Sequence, residues 1–281
     1  MANVAISPDG KLLATAGEDD NVKIWQLQLN SEATTAELLH TLRGLGTGPL
    51  SVDFSPDGMK LAIGGEDGTA KIWDAEKGQE VFSVQAHSSG ISELTFSPNG
   101  NLLATAGYWP DAIAKIWNVS SGKEISSFLG HDDPRYSIKG IGFSPDGERV
   151  AMDLGDGSVK IWDAKTGDEL LDLVGHIAPV IGVDFSPDGR YLATGSPDGT
   201  VRKWDASSGE ELVVYRSASG PLFDVKITPD GKKMIVSGTG YIYGYSFDLD
   251  ETIRLARSRL TRWFTLEECR KYLHQEECPM P

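Results

Sequence analysis

Cysteine is almost missing from this chain. Its 281 residues include two, Cys269 and Cys278, both close to the carboxyl end, so disulfides cannot staple a domain of this size. Basic charge is scarce as well: 26 Lys and Arg stand against 41 Asp and Glu, a net charge of −15. Affinity for nucleic acid rests largely on Lys and Arg set opposite phosphates, so nucleic acid is disfavoured as a partner of the main body, although arginines near the carboxyl end could still touch phosphate. No stretch approaches the roughly 18 consecutive apolar residues of a membrane-spanning helix. Ser7-Pro8-Asp9-Gly10 interrupts any start of a signal peptide. Walker, Gly-x-Ser-x-Gly and EF-hand patterns are lacking too. These gaps leave a soluble chain, expected in the cytoplasm, without a membrane and without a cofactor, held together by burial.

What is plentiful is turn chemistry, with 32 Gly and 14 Pro. Ser-Pro-Asp-Gly begins at Ser7, Ser55, Ser144 and Ser186, with close variants at Ser97 and Thr228; successive starts lie 48, 42, 47, 42 and 42 residues apart. A tryptophan follows 18 residues later in four units (Trp25, Trp73, Trp162, Trp204) and 20 later in the third (Trp117), while Tyr245 takes the place in the sixth. Each unit reads as four short strands. A β-rich run enters the Ser-Pro-Asp-Gly turn, where Pro presets φ and Gly closes the turn. A second strand such as Tyr191–Gly195 leads to an Asp-Gly hairpin, a third ends at the Trp, and a fourth follows a Gly-bearing turn. Such a unit cannot bury both faces alone, whereas copies packed face to face around an axis can. The expected fold is therefore all-β, a β-propeller of six recognisable blades.

Gly-His, Ser-Pro-Asp-Gly and Trp-Asp, repeated in that order over roughly residues 2–247, resemble the WD-repeat (WD40) family. The resemblance implies hydrogen-bonded sets of a His, a hydroxyl, an Asp and the Trp within a blade. They fall on His87, Thr105, Asp111 and Trp117 in unit three, and on His176, Thr194, Asp198 and Trp204 in unit five. Units two and four depart, with Ile63 and Met152 at the hydroxyl position, and local weakness is expected there.

The sixth unit runs out after its third strand, and the first begins inside its own first strand. Six blades therefore leave a seam, which either the tail covers or missing blades of a longer propeller fill; the second is preferred. The propeller is assigned to residues 1–249, and residues 250–281 to a helical tail packed on it. Ile253, Leu255, Ala256 and Leu260 lie near helical spacing among arginines, and Thr265-Leu266-Glu267-Glu268 forms a capping box. Residues 251–281 carry 6 basic and 5 acidic groups, which leaves the rest with 20 against 36, or −16. This tail resembles the carboxyl ends of large bacterial regulatory proteins that join a WD-repeat propeller to an upstream regulatory module.

Chemistry needs side chains that converge. His87, His131 and His176 are 44 and 45 residues apart, the repeat period, so a ring distributes them over successive blades. They are read as structural, with no metal. Cys269, His274 and Cys278 make an incomplete ligand set and are read as buried thiols beside a surface histidine. Asp53, Glu93, Asp184 and Asp224 fall on inner strands and are read as solvated channel carboxylates. No catalytic residue is assigned, and the chain is not expected to be an enzyme.

Two insertions share one face of the ring. Unit three carries Tyr108-Trp109-Pro110 in its hairpin, and the next connection carries Asp132-Asp133-Pro134-Arg135-Tyr136. Exposed Trp, Tyr and Arg dominate binding hot spots. Tyr108, Trp109, Arg135 and Tyr136 are therefore the expected protein-binding patch of a scaffold or sensor module. A channel-site ligand binder, metal binder or enzyme is the alternative.

Overall fold

The computed structural model describes residues 3–17, 20–29, 34–43, 48–130, 137–217 and 220–247. These residues form strands and turns only, arranged as six antiparallel sheets whose strands pair in chain order. Blade one holds β1 (Asn3–Ile6), β2 (Leu12–Ala16), β3 (Val22–Leu29) and β4 (Thr34–Leu42). Blade two holds β5 (Pro49–Phe54), β6 (Lys60–Gly65), β7 (Thr69–Asp74) and β8 (Gln79–Gln85). In blade three come β9 (Ile91–Phe96), β10 (Leu102–Gly107), β11 (Ile113–Asn118) and β12 (Glu124–Leu129). Blade four has β13 (Ile141–Phe143), β14 (Arg149–Asp153), β15 (Ser158–Asp163) and β16 (Glu169–Val174). Blade five follows with β17 (Gly182–Phe185), β18 (Tyr191–Ser196), β19 (Thr200–Asp205) and β20 (Glu211–Arg216). The last sheet stops at three: β21 (Leu222–Ile227), β22 (Lys233–Gly238) and β23 (Tyr241–Ser246). The tail expected to be helical lies outside the described residues.

The recurring motif locks the first hairpin of every blade. In blade five the Ser186 hydroxyl donates to Asp188 Oδ1 (2.6 Å) while its oxygen accepts the Tyr191 amide (3.0 Å). Gly189 donates its amide to the Ser186 carbonyl (2.8 Å) and turns with φ +69°, a conformation that costs glycine nothing. The same Ser or Thr to Asp or Asn bond recurs in the other five blades. Four residues thus satisfy their own polar groups locally and leave the strands free to alternate.

Alternation gives each sheet two apolar faces. One carries the residues three and one before the turn serine, together with the Trp of the third strand. The other carries a small residue on the second strand and Ile or Val on the third. The small face of each blade packs on the Trp face of the next. Ala14, Val22 and Ile24 meet Val52, Phe54 and Trp73; Ala193 and Val201 meet Val225, Met234 and Val236. Close approach is obligatory at Gly64, where a Cβ would lie 2.6 Å from Ile91 Cγ2 of the next blade.

Five such cores join the six blades in sequence. Among the described residues no sixth core joins blade six to blade one. Val4 and Ile6 of β1 are 62% and 61% exposed, whereas Val52, Leu94, Ile141, Val183 and Val225, which match Val4, are all buried.

Candidate protein-binding face and central channel

The hydrogen-bonded sets of blades three and five have the same geometry. His87 sits on the connection entering β9, Thr105 on β10, Asp111 in the following turn and Trp117 on β11. His87 Nδ1 lies 3.0 Å from Asp111 Oδ2 and its Nε2 lies 2.8 Å from Thr105 Oγ1, which also accepts the Trp117 indole N–H (2.9 Å). In blade five the matching distances are 2.9 Å (His176 to Asp198), 2.8 Å (His176 to Thr194) and 2.9 Å (Trp204 to Thr194). Since Thr accepts from Trp, its own proton goes to Nε2, so Nδ1 carries the N–H that the carboxylate accepts. Burial pulls both histidines below the usual imidazole pKa, consistent with a neutral ring. Asp111 and Asp198 also accept the amides of Ser88 and Ile177, tying each incoming connection to the opposite hairpin. These residues hold a blade in shape.

Blades two and four, which lack the hydroxyl, behave differently. In blade two Trp73 Nε1 is buried with no hydrogen-bond partner among the described residues. Blade four has a substitute that sequence reasoning overlooked. Asp153, next to Met152 and fully buried, accepts the amides of Lys139 (2.7 Å), Gly140 (2.6 Å) and Gly155 (3.1 Å). It ties connection to hairpin as His and Asp do elsewhere. Burial pushes its carboxyl up to about 7, against the pull of those three amides.

On the face where the hairpins between second and third strands emerge, the turn after β10 projects outward. Trp109 is 56% exposed, and Tyr108 is partly so. The loop is held from beneath: the Tyr108 amide donates to Gly90 O (2.8 Å), and the Tyr108 carbonyl accepts the Ser89 hydroxyl and the Asp111 amide. The Trp109 amide donates to Ser137 Oγ (3.1 Å), so this loop adjoins the exit of the second insertion. Arg135 and Tyr136, like His131 and the Cys269, His274 and Cys278 set, lie outside the described residues. Burial, with the Glu93 and Glu66 charges, raises the Tyr108 phenol pKa. Ile177, on the connection into blade five, is 89% exposed on the same face. Only its place after the structural His176 could have pointed to it.

The channel has a volume of 420 Å³ and is lined from all six inner strands. Its carboxylates are not simply solvated, which corrects the expectation from sequence. Asp53 accepts the Phe96 amide (2.8 Å) and the Thr95 hydroxyl (3.1 Å), and Asp184 accepts the Ile227 amide (2.6 Å). Each therefore pins its blade to the next. Burial raises Asp53 to about 6 and Glu93 to about 7, and it raises Asp184 as well. Lys226, two residues before the turn threonine, matches Asp53 and Asp184 in position and supplies the counter-charge. Burial acts to lower its pKa, but Asp184, Asp224, Glu93 and Asp53 outweigh that and leave it above the ordinary lysine value. None of the lining residues is a His or Cys, and among the described residues no group of three or more His, Cys, Asp and Glu could hold a metal.

Lys226→Met is expected to lower stability at pH 8 by about 1–2 kcal/mol, a discounted figure because Lys226 is open to the channel. Near pH 5, below the raised values of Asp53 and Glu93, those two hold their protons and the loss should shrink. Thermal melts at both pH values check this; an equal loss at both would mean that Lys226 acts by packing alone.

Sheet order, the serine-locked hairpins and the His–Thr–Trp sets together define a β-propeller of WD-type blades. A family model described as WD domain, G-beta repeat matches residues 2–26, 36–74, 78–118, 122–163 and 167–205. The match covers more than half of the chain, which belongs to the WD40 family. No curated protein matches the chain. Propellers of this family commonly mediate protein–protein interaction.

Proposed function

We propose that this chain is a non-enzymatic protein-binding module whose partner docks on the hairpin face beside the channel mouth. The observation that carries the reading is the exposed Trp109 on an inserted loop anchored by Ser89, Gly90 and Ser137. Burying a rigid aromatic held in this way orders few extra side chains on binding, which is why such residues dominate interface energetics. Tyr108, Arg135 and Tyr136 complete the patch. The module serves as the scaffold or sensor end of a larger bacterial signalling protein in the cytoplasm, with a regulatory domain upstream. The partner is a protein, since the −16 charge of the propeller disfavours nucleic acid.

The Trp109→Ala, Tyr136→Ala double variant is expected to melt within about 0.5 kcal/mol of wild type, as surface changes do. It should lose its partner by at least about tenfold, or about 1.4 kcal/mol. Affinity capture from the source cells, compared with wild type, is the measurement; retention of every partner by a folded double variant would sink the proposal. The competing reading is a ligand site in the channel, favoured by the raised Asp53 and Glu93 pKa values. It requires saturable binding of a metal or metabolite that Asp184→Asn abolishes.

A further inference from the structure

Blade five breaks the repeat at one buried position. Ile24, Ile72, Ile116 and Ile161 occupy it in blades one to four, each fully buried. Blade five has Lys203 there, 7% exposed. Its Nζ donates to the Phe247 carbonyl at the end of blade six (3.0 Å). The ammonium also lies 3.8 Å from the centroid of the Tyr191 ring and 4.2 Å from that of Phe247. The two rings meet edge to face, 5.9 Å apart.

The junction between blades four and five shows what this arrangement replaces. Arg149 opens β14 as Tyr191 opens β18. Its guanidinium crosses to blade five, where it donates to the carbonyls of Ala206 (2.6 Å) and Gly189 (2.9 Å) and lies over the Phe185 ring. Phe247 is the counterpart of Ala206: their amides donate to Lys232 O and Arg190 O, at matching places in the two turns. Lys203, rising from the core, therefore serves Phe247 as Arg149, crossing the groove, serves Ala206. With Tyr191 in place of the crossing arginine, the groove between blades five and six stays open as a cavity of 580 Å³, against 440 Å³ beside Arg149.

Lys203, Tyr191 and Phe247 line this cavity together with Arg190 and Lys232. The last two hold one turn position, four residues after Ser186 and Thr228, where blades two, three and four carry Met59, Asn101 and Glu148. Both are exposed, and neither side chain has a partner at hydrogen-bond or ion-pair distance among the described residues. Asp188 and Asp230 line the cavity too, but each spends an oxygen on its own turn, accepting the Ser186 or Thr228 hydroxyl and the Arg190 or Lys232 amide. Three cations thus face two carboxylates here, on a chain whose net charge is −15. We propose that the cavity binds a small anion, a carboxylate or phosphate group carried on an aromatic ring. The anionic group settles between Arg190 and Lys232 and relieves their repulsion, while the ring lies on Tyr191 and Phe247. The volume falls within the roughly 300–1,000 Å³ of small-molecule sites. The site opens on the Ser-Pro-Asp-Gly face, opposite the hairpin face, so it depends on neither the protein-binding patch nor the channel reading.

The test is to titrate the full chain with phenyl phosphate, benzoate and inorganic phosphate while following backbone amide shifts. At least one ring-bearing probe is expected to saturate with a Kd below about 1 mM, and inorganic phosphate to bind at least about tenfold more weakly. The tighter of the two ring-bearing probes tells whether phosphate or carboxylate is the group preferred. The amides of Arg190, Gly231 and Lys232 should move, while those of Glu93 and Gly140 in the channel stay in place. Arg190→Gln and Lys232→Gln, combined in one chain, alter exposed side chains only, so the variant should melt as wild type does and bind at least about tenfold more weakly. Failure of both ring-bearing probes to saturate, equal binding by inorganic phosphate, equal binding by the folded variant, or shifts confined to other sites would each overturn the proposal. Asp248, Asp250 and Glu251 follow Phe247 in the sequence and are the rival anions. Binding that appears only after Asp248→Asn, Asp250→Asn and Glu251→Gln would mean that the chain's own carboxylates hold the cavity, and would overturn it as well.

Discussion

Thr194→Val is expected to cost roughly 3–5 kcal/mol of stability, more than any surface change in the molecule, although it replaces one hydroxyl with a methyl. Thr194 is fully buried, and its oxygen is the hub on which His176 Nε2 (2.8 Å) and Trp204 Nε1 (2.9 Å) meet. Valine leaves both groups buried and unpaired, and each such orphan costs about 1–3 kcal/mol. Thr15→Val in blade one is the contrast. There, among the described residues, only Trp25 relies on the hydroxyl, in a half-buried site that water can reach, so the cost should stay below about 1.5 kcal/mol. Urea denaturation of the two variants decides the matter through the shift in midpoint at constant slope. Equal shifts would mean that the polar set contributes no more than its packing. Blade two is the natural precedent: Ile63 stands where Thr194 does, and Trp73 Nε1 is already an orphan.

Stability should be greater near about pH 5.5 than near about pH 8, the reverse of a protein stabilised by ion-paired carboxylates. Burial raises Asp53 to about 6, Glu93 to about 7 and Asp153 to about 7, against ordinary values of 3.8, 4.5 and 3.8. Between the ordinary and the raised values the folded chain holds protons that the unfolded chain has released. Where the native state binds more protons, stability falls as pH rises. The contribution is thus complete below about pH 4 and lost as pH climbs through about 7. His87 and His176 work the other way. Their lowered pKa values mean that the unfolded chain is protonated first, so their contribution is lost as pH falls below 6.5. Three strongly raised carboxyls outweigh two histidines at mildly acidic pH, and relief of the −15 net charge adds to them. At about 1.4 kcal/mol for each pH unit of the window, the fully buried Asp153, raised to about 7, supplies about 2 kcal/mol of the effect. Differential scanning calorimetry across the range checks it, and a higher Tm at pH 8 would refute the assignment of raised carboxyls.

The sequence by itself determined the repeat and therefore the blade. Ser-Pro-Asp-Gly satisfies its own polar groups within four residues, and alternation across period-two strands sorts apolar side chains to two faces; both effects are local and readable along the chain. The three strands that the described residues of the last sheet form were legible for the same reason, as were Tyr108 and Trp109, because their insertion breaks a fixed spacing. Lys226 and Asp153 were not legible. Each looks in sequence like a charge at the end of a strand, and only the ring turns one into the counter-charge of four carboxylates and the other into a buried tie. Asp53 and Asp184 were seen as channel residues, but their bonds to Phe96 and Ile227 cross from one blade to the next. Tertiary structure alone decided that, among the described residues, five cores form and a sixth does not. A core needs two complementary faces at contact distance, and a strand pattern fixes what a face carries without fixing what stands opposite it.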